Sequence, residues 1–126
     1  MKSRPERAVA TKRGKYVPER GDLVWLSFDP QAGREQAGRH PAVVLSPSVY
    51  NAKTNLAICC PVTSRIKGYP FEVEIPDGLP VQGVVLSDQL KSLDWVERKA
   101  ELIATLPSPT VVEILRKASL LVSPGR

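Results

Sequence analysis

Twelve prolines spread through 126 residues confine this chain to short elements with rigid turns, as in a small barrel, and argue against long helices. The apolar residues fall into matching short runs. Asp22–Asp29 sets Leu23, Trp25 and Phe28 against polar neighbours and reads as a strand, ended by Asp29-Pro30. Gln31–Gly38 is polar, contains Gly33 and reads as a mobile hairpin loop. Ala42–Leu45 is a second apolar run, stopped by Ser46-Pro47. Leu56–Val62 is a third, in which Pro61 points to a sheet edge or a bulge. Phe71–Ile75 alternates with Glu72 and Glu74 outward, Gly83–Leu86 is again apolar, and Val96–Leu106 holds one more strand. The period then changes. Val111, Val112, Ile114, Leu115, Ala118, Leu121 and Val122 repeat at helical spacing, after Ser108 as a capping hydroxyl and Pro109 in the first turn. The pattern predicts a mainly β chain: five or more short antiparallel strands closed into a small barrel, then one amphipathic helix.

The length fits one domain. The net charge of +5 is unevenly placed. Residues 1–15 hold Lys2, Arg4, Arg7, Lys12, Arg13 and Lys15 against Glu6, so this tail carries all of the excess and residues 16–126 sum to zero. The tail has no apolar periodicity and reads as a disordered leader able to add screened attraction to RNA. The body is not a generic basic nucleic-acid binder, so any phosphate recognition in it rests on a few placed cations. Cys59 and Cys60 are neighbours that a strand would point to opposite faces; with no disulfide framework, a reducing, cytoplasmic compartment is expected. No apolar run approaches the roughly 18 residues that span a membrane, and no apolar stretch follows the N-terminal charges to make a secretory signal. One histidine and one cysteine pair make no zinc site, and neither a glycine-rich phosphate loop nor a strand-to-helix nucleophile turn is visible.

Three polar clusters remain. Gly33–Pro41 packs Arg34, Glu35, Gln36, Arg39 and His40 between two apolar runs. Cutting RNA without a metal requires a proton to leave the 2'-hydroxyl, the phosphorane's charge to be stabilised and the 5'-oxygen to be protonated. Arginine suits the second task, and glutamate or histidine the others. The same residues also suit a plain solvated loop. The second cluster holds Thr63, Ser64, Arg65 and Lys67, with Tyr69 read either as a stacking platform for an unpaired base or, in preference, as a core-facing ring. The third, Asp88 and Gln89 with Lys91, suits base-edge contacts, although Asp88 equally suits fixing a turn.

These words resemble, in order and with little gap, those of the MazF/PemK (Kid) toxin endoribonucleases: Gly21-Asp22-Leu23-Val24-Trp25, Phe28-Asp29-Pro30, Gly33–Gly38, Pro41–Pro47, Tyr50-Asn51, Pro61-Val62-Thr63, Lys67–Val73, and Asp88-Gln89 with Lys91-Ser92. The resemblance spans residues 16–122. It implies an SH3-like barrel with a C-terminal helix, a homodimer, and a toxin of a type II toxin–antitoxin system. It implies metal- and cofactor-independent, sequence-selective cleavage of single-stranded RNA to 2',3'-cyclic phosphate and 5'-hydroxyl ends. It also implies a MazE-like antitoxin whose acidic tail covers the RNA site. Thr63 falls on the family's catalytic threonine, and Glu35 and Gln36 on the loop bordering the active site. One departure stands out: the family carries arginine immediately before the proline of Pro-Ala-Val-Val, where this chain has His40, with Arg39 one place earlier. Either His40 takes over proton transfer while Arg34 or Arg39 stabilises charge, or a bulge beside Gly38 re-aims Arg39, or activity is weakened. The alternatives to a nuclease are a CcdB-like toxin of the same barrel that binds a protein such as gyrase, and an RNA-binding barrel without chemistry. The first relies on an aromatic near the C-terminus, and this chain ends Val122-Ser123-Pro124-Gly125-Arg126.

Overall fold

The computed structural model describes residues 11–12, 15–27 and 38–124. Most of the basic tail and the Phe28–Ala37 segment, with its predicted hairpin loop, lie outside them. Strands β1 (Thr11–Lys12) and β2 (Lys15–Tyr16) make a separate two-stranded sheet. The main body is an antiparallel seven-stranded sheet: β3 (Asp22–Ser27), β4 (Arg39–Val44), β5 (Leu56–Thr63), β6 (Glu72–Glu74), β7 (Val84–Leu86), β8 (Lys91–Asp94) and β9 (Glu101–Thr105). Its order is β6-β7-β5-β4-β3-β9, with β8 also on β5. Two helices accompany it, α1 (Ser48–Thr54) and α2 (Ser108–Val122). The expected mainly β fold with a C-terminal helix is the one observed. No helix among the described residues is long and apolar enough to cross a membrane.

The sheet separates two cores, and its central strands feed both. Leu23, Val43, Cys60 and Val62 pack with Val73, Ile75, Val85 and Ile114 on one side. Val24, Leu26, Ala42, Val44, Ala57 and Cys59 pack with Val17 and Trp95 on the other. β3 is therefore apolar on both faces, which is why Val24 and Leu26 spoil the expected alternation. Cys59 and Cys60 are free and buried on opposite sides, as their adjacency predicted. Both thiols are pushed up to about 12, chiefly by burial, aided by Cys60 for Cys59 and by Asp88 for Cys60. They stay protonated and inert.

Pro61 corrects one expectation, because it sits in the central strand and not at an edge. On one flank β5 pairs with β4 through Val44↔Cys59, Val43↔Cys60 and Ala42↔Pro61. On the other it pairs with β8 from Leu56 to Cys59 and with β7 only from Val62 on. The Leu45 N–H donates to Ile58 O at 2.8 Å, so by alternation Pro61 faces away from β4. Its missing donor therefore falls in the changeover between β8 and β7, where no ladder bond is lost.

Helix α2 brings a second correction. Pro107 is its N-cap, Ser108 is already helical, and no side chain caps the end, although Pro109 lies in the first turn as expected. The helix buries Val111, Ile114 and Ala118, but Val112 stays 58% and Val122 69% exposed, so its apolar residues exceed what the barrel covers. The sequence reading missed α1, β8 and the two-residue strands β1 and β2, which take in Thr11, Lys12 and Lys15 of the segment read as a disordered leader.

A buried amide joins α1 to the sheet. Asn51 is fully buried; its Nδ2 donates to Pro18 O at 2.8 Å and to Ser46 O at 3.0 Å, and its Oδ1 accepts from the Ser46 hydroxyl at 2.6 Å. Its carbonyl accepts from the Trp95 indole N–H at 2.9 Å. Asn51→Ala strands two buried carbonyls and a hydroxyl, at a cost of about 3 kcal/mol or more. Urea denaturation should show a lowered midpoint at an unchanged slope.

Candidate active site

Thr63 ends β5 and is half-buried. Its Oγ1 accepts the backbone N–H of Arg65 at 3.1 Å, a bond that leaves the hydroxyl proton available as a donor. The strand end is set by a close approach. Gly83 has φ +129°, and a Cβ there would lie 2.3 Å from Thr63 O. Only glycine lets β7 come this near, in the register Thr63↔Val84. Ser64, Arg65 and Lys67 follow on an exposed loop.

The hairpin residues separate by strand parity. The β3–β4 ladder runs unbroken from Leu23↔Val43 through Leu26↔His40 to Ser27↔Arg39. Among the described residues the β3–β4 ladder carries no bulge at Arg39. Arg39 lies on the Val43 side, where its guanidinium donates to Ser27 Oγ at 3.1 Å, Lys99 O at 3.1 Å and Glu101 Oε1 at 3.2 Å. His40 is exposed and lies on the Ala42–Val44 side. Continuing the β4–β5 register two residues beyond Ala42↔Pro61 places His40 level with Thr63 on the same face. By strand parity His40 and Thr63 share one face of the sheet, and Arg39 takes the other. Arg34, Glu35 and Gln36 lie outside the described residues.

Tyr69 and the Asp88 cluster meet. Tyr69 is half-buried and not core-facing, contrary to expectation: its hydroxyl donates to the Asp88 carboxylate at 3.0 and 3.3 Å. The phenol's pKa is raised first by that bond, then by desolvation and by the charges of Asp88 and Glu72, while a hydrogen bond from Gln89 opposes them. The turn at Asp88 is closed by backbone, Gln89 N–H to Leu86 O at 3.1 Å, so the Asp88 side chain ties two loops together and does not fix its own turn. Lys91 is exposed on β8 opposite Cys59, about 13 Å along β5 from Thr63. Sequence reasoning missed Gly83, Glu72 and Lys117. Glu72 had read only as an outward strand residue, and Gly83 as the start of an apolar run; neither pattern signals a loop anchor or a close approach.

A cleft of about 460 Å³ lies elsewhere, between α1, β5 and α2. It is lined by Leu45, Tyr50, Ile58, Leu115, Ala118 and Val122 with Arg20 at its wall, and by none of the candidate site residues. Its surface suits a protein partner better than a phosphate.

A family model described as PemK-like, MazF-like toxin of type II toxin–antitoxin system matches residues 19–122. The chain belongs to this toxin family. It is 47% identical over 108 residues to the endoribonuclease toxin MazF of Escherichia coli K12, covering 86% of this chain and 96% of that one. It is 31% identical to the endoribonuclease PemK of Escherichia coli, over 88% of this chain and 86% of that one. Among solved structures, MazE–MazF from Deinococcus radiodurans superposes with a TM-score of 0.80 at 49% identity, covering 88% of this chain and all of the other.

The Gly83 contact makes a prediction. Gly83→Ala forces β7 off Thr63 O, because the clash is with backbone that cannot turn aside. RNA cleavage should fall at least tenfold while the two cores persist, checked by cleavage rate beside far-UV circular dichroism.

Proposed function

We propose that this protein is the endoribonuclease toxin of a type II toxin–antitoxin system, cutting single-stranded RNA at short motifs and thereby stopping translation. The strand parity that sets His40 and Thr63 on one face supports this reading most directly. The Thr63 hydroxyl donates to a non-bridging phosphate oxygen, and the added charge of the phosphorane is shared with Arg34 and Arg65. The 2'-oxygen attacks phosphorus, its proton passing to Glu35 or His40; the P–O5' bond breaks as the other group protonates the leaving oxygen. The products are a 2',3'-cyclic phosphate and a 5'-hydroxyl, with no metal taking part. Arg39, held by Ser27, Lys99 and Glu101, positions β4 and does not touch the phosphate. Gln36, Ser64, Lys67, Asp88, Gln89 and Lys91 contact the flanking RNA.

The protein acts in the cytoplasm as a homodimer, and a MazE-like antitoxin silences it by covering the RNA groove. Tyr50, Ile58 and Val122, which line the apolar cleft, with Leu120 and Leu121 beside it, supply exposed apolar surface for these contacts. A CcdB-like protein poison is disfavoured by family membership and by the lack of an aromatic residue after Trp95.

Incubation with a long unstructured RNA should generate new 5'-hydroxyl ends, and excess EDTA should leave the rate unchanged. Thr63→Ala should lower the rate by about a hundredfold or more while the protein stays folded. Equal cutting by parent and variant would overturn the site assignment. His40 is tested by two replacements. His40→Ala should lower cleavage by about a hundredfold or more, the usual worth of a proton-transfer group. If proton transfer is its role, His40→Arg should restore little, because a guanidinium holds its proton at any working pH. Full activity of His40→Arg would assign that position to charge stabilisation alone.

A further inference from the structure

The β5–β6 loop joins the end of the strand bearing Thr63 to Glu72, and its first five residues are exposed. Such a loop would ordinarily be loose. Here four bonds fix it. The Glu72 carboxylate accepts the backbone N–H groups of Lys67 and Gly68, each at 2.9 Å. The Lys117 ammonium, reaching from α2, donates to Pro70 O at 2.5 Å and Glu72 O at 3.1 Å. The residue held between these anchors is Tyr69, and its hydroxyl in turn holds the exposed Asp88 carboxylate, with Gln89 alongside. Two charged side chains are thus committed to backbone groups, and the outcome is a phenol, a carboxylate and an amide set in fixed relation on an open surface.

Their chemistry is that of a base-edge reader. A carboxylate offers about four acceptor directions and no donor, so Asp88 keeps acceptor capacity after Tyr69 has bound. It suits an exocyclic amino group. Uracil has none: its edge N–H lies between two carbonyl oxygens, which a carboxylate repels. Gln89 can donate to or accept from the neighbouring ring position, and the tyrosine ring supplies a stacking surface. The location fits as well. Asp88 lies between β7, whose Val85 pairs with Val62, and β8, whose Lys91 pairs with Cys59, so it stands beside the middle of that stretch of β5, about 10 Å from Thr63, within reach of a nucleotide flanking the cut.

We infer that Tyr69, Asp88 and Gln89 form a specificity subsite that accepts an unpaired base carrying an exocyclic amino group and excludes uracil. The inference rests on the endoribonuclease reading, and its test separates the two. A randomised oligonucleotide pool with 2'-fluoro in place of every 2'-hydroxyl, which cannot be cleaved, is enriched on the full-length protein and sequenced. In parallel, the parent protein is given ordinary RNA and new 5'-hydroxyl ends are mapped. The parent should deplete uracil at one position next to the cut. Asp88→Asn keeps the shape but offers uracil a donor, so uracil should recover about tenfold at that position alone. Tyr69→Phe frees Asp88 and should flatten the preference there among all four bases. Circular dichroism reports folding, and if one variant misfolds the other decides. Identical preferences in parent and variants, or a parent that enriches no base, would overturn the subsite whatever the cleavage result. Intact base preference without cleavage would instead sink the nuclease reading and leave the subsite standing.

Discussion

The ladders of β5 set the geometry on which every other part depends. Its even-numbered residues Cys60 and Val62 fill one core, and its odd-numbered Ala57 and Cys59 fill the other. One flank is held by β4; the opposite flank is shared by β8 and then β7. A strand used this way cannot slip by one residue, since a slip would exchange the contents of two packed cores. The change of partner at Pro61 also carries the last two residues on to β7. The position of Thr63 is therefore a consequence of how the sheet closes. Gly83 completes that closure by leaving out a side chain where β7 must come nearest.

Short strands leave much backbone outside regular ladders, and those groups need partners. The protein meets the need with a small number of polar side chains reaching across sequence. Asn51 and Ser46 serve Pro18, Ile58 and Trp95. Glu72 and Lys117 serve the β5–β6 loop. Arg39 and Arg98 tie the end of β3 to the Trp95–Glu101 segment, Arg98 through Ser27 O at 3.0 Å. The rim around the candidate site is stiffened by side-chain-to-backbone bonds, and a ligand bound at such a rim pays a smaller ordering cost.

How far the sequence could be read follows the same division. Strands β3 to β5, β7 and β9 were visible because each contains apolar residues in a run or an alternation, β6 because Phe71–Ile75 alternates around it, and α2 because the period changes from two to 3.6 near Ser108. β8 was hidden because Lys91-Ser92-Leu93-Asp94 offers one apolar residue, and α1 because seven residues give too little periodicity. Pro61 was misplaced because local sequence cannot show that a central strand changes neighbour at that residue. Tyr69 was misread for a related reason: its partner Asp88 is nineteen residues away. At the candidate site, the residue types were legible and the facing was not. Only the pairing of three strands shows which face Arg39, His40 and Thr63 each take.

That facing gives the Arg39-His40 order its meaning. Two adjacent residues on a strand are not interchangeable, because the cores on either side of β4 fix which face each one takes. Turning Arg39 toward Thr63 would move Val43 and Val44 into each other's cores and break three bonds that now hold the guanidinium. The arrangement commits an imidazole, and not a guanidinium, to the face that carries Thr63. A guanidinium in that place stabilises charge and keeps its proton; an imidazole can both give and take one near neutral pH. On the proposed reading, the same barrel offers a proton-transfer group from a strand, on the face that carries Thr63, and leaves charge stabilisation to the remaining cations.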